Sequence, residues 1–263
     1  MSQHPTLRRN HGRYLGERIE VDHIQRQLLD AANQHGWCTE VFLDQPARQL
    51  HAFHRPTPDA RRKIYLSSGI HGDEPAGPLA MLELLAANCW PADAELWLCP
   101  CLNPSGLHTS TRENAEGHDL NRDYLHLRTT EVRAHVELLQ RWPTFDLTIC
   151  LHEDWEARGF YFYELNATGG ASHAERIIEQ VAPVCPIDPS PEIDGRPARG
   201  GIIRPEADPT KRPDWPEAFY LFQHKTRLSY TFESPSDFDL EVRVRAQVAA
   251  VRAALEQASA AGK

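Results

Sequence analysis

The sequence has no run of about 18 apolar residues, the length a bilayer-spanning helix needs, so no segment is expected to cross a membrane. It also lacks any basic run or basic amphipathic helix. Lys and Arg number 28 against 37 Asp and Glu, a formal charge of −9, whereas binding to phosphate backbones draws on surplus positive charge. Neither nucleic acid nor a membrane surface is therefore an expected partner. No internal repeat, low-complexity tract or Gly/Ser linker divides the 263 residues, and one catalytic-sized domain over 1–263 is expected. The stretch Met1 to Arg9 is polar and has no apolar core of a secretory signal. The six cysteines are scattered, and no second pair completes the C-x-C of Cys99 and Cys101 as a zinc knuckle. They are read as buried structural thiols, suited to a reducing cytoplasm.

What is present alternates between two periods. Residues 20–35 carry apolar positions at helical spacing and end at Gly36; strand-like runs come next at 38–43, 48–54 and 63–68. Pro75 opens a helix through about Asn88, since proline is tolerated in a first turn. Strands are expected at 95–99, 145–151, 160–165 and 227–232, and helices at 127–141, 172–181 and 240–258. Nine prolines within 183–216 argue against a regular element there. Alternating strands and helices predict an α/β fold, a three-layer α/β/α sandwich around a mixed, largely parallel sheet of about eight strands. Ligands of such sheets gather beyond the carboxyl ends of the strands. His71, Asn103, His152 and Glu233 each fall at or just after one.

His71-Gly72-Asp73-Glu74 is an H-x-x-E pair on a turn, able to aim an imidazole nitrogen and a carboxylate at one point. A third ligand from elsewhere would leave a fourth position open for water or substrate. His152, at the end of a neighbouring strand, is the candidate. Two nitrogens and a carboxylate suit one Zn2+ ion best. An isolated H-x-x-E is common, and among fourteen histidines a further His is no evidence; the case rests on the motifs C-terminal to the pair. His108, His118 and His126 are read as loop or surface residues, and His4, His11, His51 and His54 have no partner pattern.

The ordered landmarks are His71-x-x-Glu74, Asn103-Pro104-Ser105-Gly106-Leu107, Thr111-Arg112-Glu113-Asn114, Asp119-Leu120-Asn121-Arg122-Asp123, His152 and Thr231-Phe232-Glu233. In this order they resemble the zinc carboxypeptidases of the funnelin type. The eighty-residue interval from His71 to His152 is similar to compact bacterial members such as murein-peptide amidases. A more distant resemblance is to aspartoacylase and succinylglutamate desuccinylase. The resemblance implies zinc on His71, Glu74 and His152, and carbonyl polarisation by Arg112. It further implies a carboxylate grip by Asn121 and Arg122, and Glu233 as general base for metal-activated water. The residue types fit these tasks: a carboxylate can take a proton and return it to the leaving nitrogen. Fixed positive charge stabilises an oxyanion, and Arg can fork onto a carboxylate where Lys cannot.

The family's mobile tyrosine has two sequence candidates, Tyr220 and Tyr230. Tyr230 lies in an expected strand, so Tyr220 is assigned to substrate binding. The segment 183–216 is expected to drape over the cleft, with Arg196, Arg199, Arg204, Lys211 and Arg212 either receiving an anionic substrate or balancing neighbouring acids. Asp154, Trp155 and Glu156 either brace the third ligand or line the pocket. The expected reaction is cleavage of the C-terminal amide of a short peptide. The alternative is deacylation of an N-acyl amino acid. A non-catalytic peptide binder would be expected to have lost a ligand or the base, and neither is missing.

Overall fold

The computed structural model of the protein describes residues 6–8, 17–46 and 48–260. His4, His11 and most of the polar N-terminal stretch lie outside the described residues. The helices are α1 (Val21–Gln34), α2 (Ala76–Ala87), α3 (Pro104–Thr109), α4 (Thr130–Arg141), α5 (Ala174–Val181), α6 (Glu217–His224) and α7 (Leu240–Ala260). The strands are β1 (Cys38–Leu43), β2 (Leu50–Arg55), β3 (Arg62–Ser68), β4 (Ala94–Cys99), β5 (Leu147–Asp154), β6 (Tyr161–Asn166), β7 (Glu192–Ile193), β8 (Arg196–Arg199), β9 (Ile202–Ile203) and β10 (Leu228–Pro235).

Strand alternation builds the three layers. Ile64 and Leu66 of β3, Leu96 and Leu98 of β4, and Ile149 and Leu151 of β5 pack on one face with α1, α2, α5 and α7. Tyr65, Trp97 and Cys150, one residue out of phase, pack on the other face with α4 and α6. A strand's side chains point alternately to opposite faces, so one sequence period supplies both cores. Each fully buried aliphatic side chain contributes about 1.5–3 kcal/mol.

The sheet order is β1-β2-β4-β3-β5-β10-β6-β9-β8-β7. It holds ten strands rather than about eight. Parallel pairing is confined to the central β4-β3-β5-β10 and to β6-β9, with antiparallel pairs elsewhere. The mixed α/β/α sandwich stands, but the sheet is less parallel than the βα alternation implies, because β1, β2 and β3 follow one another, and β6 follows β5, with no helix between them. β3 has β4 on one side and β5 on the other, with α2 and α4 on opposite faces. Ligands collect at such a reversal of strand order.

The segment 183–216 is not free of regular structure. β7, β8, β9 and a 3-10 turn at Pro209–Lys211 lie within it. Two-residue strands are fixed by partners such as Phe162 and Tyr163, not by any pattern of their own. The thiols also differ from expectation: Cys99, Cys101, Cys150 and Cys185 are buried, Cys38 and Cys89 are exposed, and all are free. No helix among the described residues is long and apolar enough to cross a membrane.

Candidate metal centre

His71 and Glu74 lie on the loop between β3 and α2, and His152 lies in β5. One ligand atom from each lies within 4.8 Å of the others, and all three residues are buried. His71 Nδ1 is 2.5 Å from Glu74 Oε1, and His152 Nδ1 is 2.9 Å from Glu74 Oε2. Both imidazoles thus turn the same nitrogen toward one carboxylate. Two nitrogens and one oxygen in a buried cluster fit a zinc ion, with the fourth side left to the cleft. Burial works to lower the His71 pKa, but the Glu74 and Asp119 carboxylates outweigh it and hold it up. Burial raises Glu74, and the two histidines together pull it well below the usual carboxylate range. A stripped protein given zinc should show a higher Tm, by mass action about 2.7 kcal/mol of stabilisation at a hundredfold excess over Kd. His71→Ala should abolish the rise in a thermal melt, and an equal rise in the variant would refute the assignment.

The Asn103-Pro104-Ser105-Gly106 motif holds this loop in place. Asn103 is fully buried; its Nδ2 donates to the Ile70 carbonyl at 3.2 Å, and its Oδ1 accepts from the Gly106 amide at 2.9 Å. A Cβ on Gly72 would meet the Gly106 backbone at 1.9 Å, so the two chain segments touch where only glycine fits. Asp119 holds the other side. Its Oδ2 accepts from Arg112 Nε at 2.9 Å, its Oδ1 accepts from the Asn121 amide at 2.9 Å, and Oδ1 lies 3.3 Å from His71 Nε2. The last contact is too poorly aligned to count as a hydrogen bond, yet it matches the usual arrangement in which a ligating histidine offers its other nitrogen to a carboxylate.

A second brace comes from α7. Arg243 Nη1 donates to Glu153 Oε2 at 2.6 Å, and Arg243 also pairs with Glu17. Glu153 Oε1 accepts from the Ala76 amide at 2.6 Å, capping α2 directly after Glu74 and Pro75. One turn further along α7, Gln247 Nε2 donates to the His152 carbonyl at 2.6 Å. None of these roles is visible in local sequence, since the partners stand 77 or more positions apart.

Glu233 is paired in register with His152 on the parallel neighbour and with Tyr161 on the antiparallel one. Its carboxylate accepts no hydrogen bond from the described residues. Burial, then the charges of Glu74 and Asp154, push its pKa well up. His71, Glu74, His152, Arg112, Asn121, Arg122 and Glu233 line one cleft of about 880 Å3. Arg112 Nη1 lies 3.3 Å from His71 Nδ1 and 3.8 Å from Glu74 Oε1. Asn121 Oδ1 accepts from the Glu217 amide at 2.8 Å, which leaves its amide N–H groups for the cleft. Glu217 is itself buried and accepts from the Tyr65 hydroxyl at 2.8 Å, with burial pushing its pKa up to about 7.

Tyr220 does not line the cleft. It packs in the α4/α6 core against Tyr124 and His224, with ring centres 5.8 and 4.7 Å away. The cleft's tyrosines are Tyr161 and Tyr163 of β6, whose hydroxyls donate to Asp154 and Asp194. Asp154, Trp155 and Glu156 line the cleft, as does much of the Pro-rich segment. His108 faces Asp22, and His126 lies 3.4 Å from Asp214.

Known proteins resemble this chain in part of its sequence and in its fold. Residues 60–181 match the family model of the succinylglutamate desuccinylase/aspartoacylase catalytic domain. Carboxypeptidase 2 of Trichophyton rubrum is 35% identical over 112 residues, 39% of this chain and 21% of that protein. The aligned stretch thus spans about a fifth of the curated relatives' length. A crystal structure from Shewanella amazonensis, named as a metallopeptidase, superposes with a TM-score of 0.79 at 21% identity, covering 92% of this chain and 97% of that one. A metallo-carboxypeptidase from Burkholderia cenocepacia superposes with a TM-score of 0.67 at 16% identity, covering 92% and 69%. The shared fold, the matched catalytic-domain segment and the ordered landmarks together support a likeness to the zinc carboxypeptidases.

Proposed function

We propose that the protein is a zinc-dependent hydrolase that cleaves the C-terminal amide bond of short peptides. The observation that carries this reading is the convergence of three ligands, an unbonded carboxylate and two arginines in one cleft. Bound zinc supplies Lewis-acid polarisation and lowers the pKa of water. Glu233 takes the proton of the attacking water and returns it to the leaving nitrogen. Arg112, anchored through Nε on Asp119, offers its remaining N–H groups to the carbonyl oxygen as negative charge develops there. Arg122 and the Asn121 amide receive the substrate's free carboxylate.

A second reading, deacylation of an N-acyl amino acid, is favoured by the family-model match over residues 60–181. Both readings use the same groups, and they differ in what fills the rest of the cleft. A cleft of about 880 Å3 lies toward the upper end of the range for small-molecule sites and has room for a peptide. The test is a parallel assay of short peptides with free C-termini, the same peptides amidated, and N-acyl amino acids. Hydrolysis of the free acids, lost on amidation, is expected. Turnover of N-acyl amino acids alone would replace the first reading by the second, and no turnover of any substrate would overturn both.

A further inference from the structure

Tyr65, Tyr124, His135 and Glu217 are buried on the α4/α6 side of the sheet, in a hydrogen-bonded chain that the reaction does not use. The Tyr65 hydroxyl of β3 donates to Glu217 Oε1 at 2.8 Å and lies 2.9 Å from His135 Nε2 of α4. His135 Nδ1 lies 2.7 Å from the Tyr124 hydroxyl. Burial lowers the His135 pKa to about 3, so the imidazole is neutral and carries one N–H. With its own proton given to Glu217, Tyr65 can only accept from His135. That puts the imidazole proton on Nε2 and leaves Nδ1 to accept from Tyr124. One arrangement of protons completes all three hydrogen bonds.

Both ends of this chain return to the segment that carries Asn121 and Arg122. Tyr124 comes two residues after the 3-10 turn Leu120–Arg122. Glu217 opens α6, and the first N–H groups of a helix have no partner within it. The Glu217 amide gives its N–H to Asn121 Oδ1 at 2.8 Å, so the start of α6 decides which way the Asn121 amide faces. The backbones are tied as well: Asp123 and Trp215 form a β-bridge, and the Tyr124 amide donates to the Trp215 carbonyl at 3.3 Å. The hydrogen bonds thus close a circuit from Asn121 through Glu217, Tyr65 and His135 to Tyr124 and back along the chain. Asn121, Arg122 and Pro216 line the cleft in front of it. Apolar side chains would fill this space without the cost of burying polar groups. A fully paired polar network adds a fixed orientation instead.

We propose that Glu217, with Tyr65 and His135 behind it, is a positioning residue for substrate binding: the closed circuit holds the Asn121–Arg122 turn in the orientation that receives the substrate's carboxylate. This rests on the carboxylate grip assigned to Asn121 and Arg122 in the hydrolase reading. None of the three side chains touches substrate. They act through the Glu217 amide on Asn121, and through Tyr124 on the far end of the same segment.

The probes are an N-acetyl dipeptide with a free C-terminus and the same dipeptide amidated. Kinetics are measured on the zinc-loaded protein, and calorimetric binding on the same protein carrying Glu233→Gln. Tyr65→Phe removes one hydroxyl and with it two hydrogen bonds of the circuit. It and Glu217→Leu should each raise KM, and the Kd of the free acid, about tenfold, the scale of a charge-assisted hydrogen bond. The kcat should stay within about threefold, because binding lost equally from ground and transition states appears in KM. The Kd of the amidated probe should not move. Glu217→Gln should stay close to wild type, since its amide oxygen can still accept from Tyr65. Ile64→Val, on the opposite face of β3, is the control for lost stability and should keep the preference for acid over amide. Should Glu217→Leu fail to fold, Tyr65→Phe decides alone. An undiminished preference in Tyr65→Phe, a fall in kcat with KM unmoved, or an equal loss in Ile64→Val overturns the proposal and leaves the hydrolase reading intact. No preference for the acid before any circuit residue is changed would overturn it together with the carboxylate grip. A preference that Tyr65→Phe abolishes, without hydrolysis of any peptide or N-acyl amino acid by the unaltered chain, would support the circuit and overturn the hydrolase reading.

Discussion

Glu233→Gln should lower kcat/KM by roughly 10²–10⁴-fold, the usual contribution of a positioned general base, while leaving the zinc-induced rise in Tm in place. The two effects separate because Glu233 stands opposite His152 in register but is not one of the three clustered ligands. The substitution keeps size and removes only the titrating oxygen. Burial and the charges of Glu74 and Asp154 disfavour the carboxylate form, so a neutral amide should not cost stability. The direction of the shift also fixes the sign of the pH dependence. A base must be deprotonated to accept a proton, so activity falls as pH drops through the Glu233 pKa. The acid limb of the kcat/KM profile should therefore lie above the ordinary Glu value of 4.5, and zinc beside Glu74 draws it back towards that value. Wild-type turnover by Glu233→Gln would remove Glu233 from the chemistry, and a lost zinc response would make it a ligand instead.

The metal cluster was legible because its residues sit where hydrophobic runs stop. Lys63 to Ser68 and Phe145 to Leu151 read as strands, and His71 and His152 come after them in turn. The motifs around Asn103 and Asp119 were legible as landmarks but not as braces, because their work is contact with Ile70, Gly106 and Arg112 rather than with substrate. Tyr220 shows the opposite limit. Nearness in sequence to Glu233 suggested a cleft residue, yet α6 turns that side chain into the core, and the cleft takes its tyrosines from β6 across the sheet. The edges of the sheet were hidden for a related reason. Alternation tells which face a residue occupies but not the direction of the strand beside it, so the antiparallel margins at β1, β2 and β6 carry no local mark. In the Pro-rich segment, proline frequency spoke against long elements and could not speak to two-residue strands completed by β6.

The largest effect on stability is expected at a residue that local pattern gives no reason to notice. Arg243 and Glu153 are both fully buried, and their side chains meet at 2.6 Å. Arg243→Ala would leave the Glu153 carboxylate in a low-dielectric interior without this cation, a change that costs about 3–5 kcal/mol where one partner of a buried pair is removed. For a chain of this size that corresponds to a fall in Tm of roughly 6–20 °C. Glu153 already sits above its usual pKa because burial outweighs its partners, so without Arg243 it should take up a proton rather than stay charged. That response blunts the loss at low pH and deepens it as pH rises. Removing the charges as a unit, with Arg243→Met and Glu153→Gln together, should recover part of the loss, because the desolvation of both ions disappears with them. It should not recover zinc affinity to the same degree. The Glu153 oxygen that accepts from the Ala76 amide orients the turn bearing Glu74, and an uncharged amide caps that helix more weakly. A thermal melt with a zinc titration on both variants separates the two roles. A Tm within about 2 °C of wild type for Arg243→Ala would show that the pair stabilises nothing. Full zinc affinity in the double variant would show that it holds the fold together without holding the site.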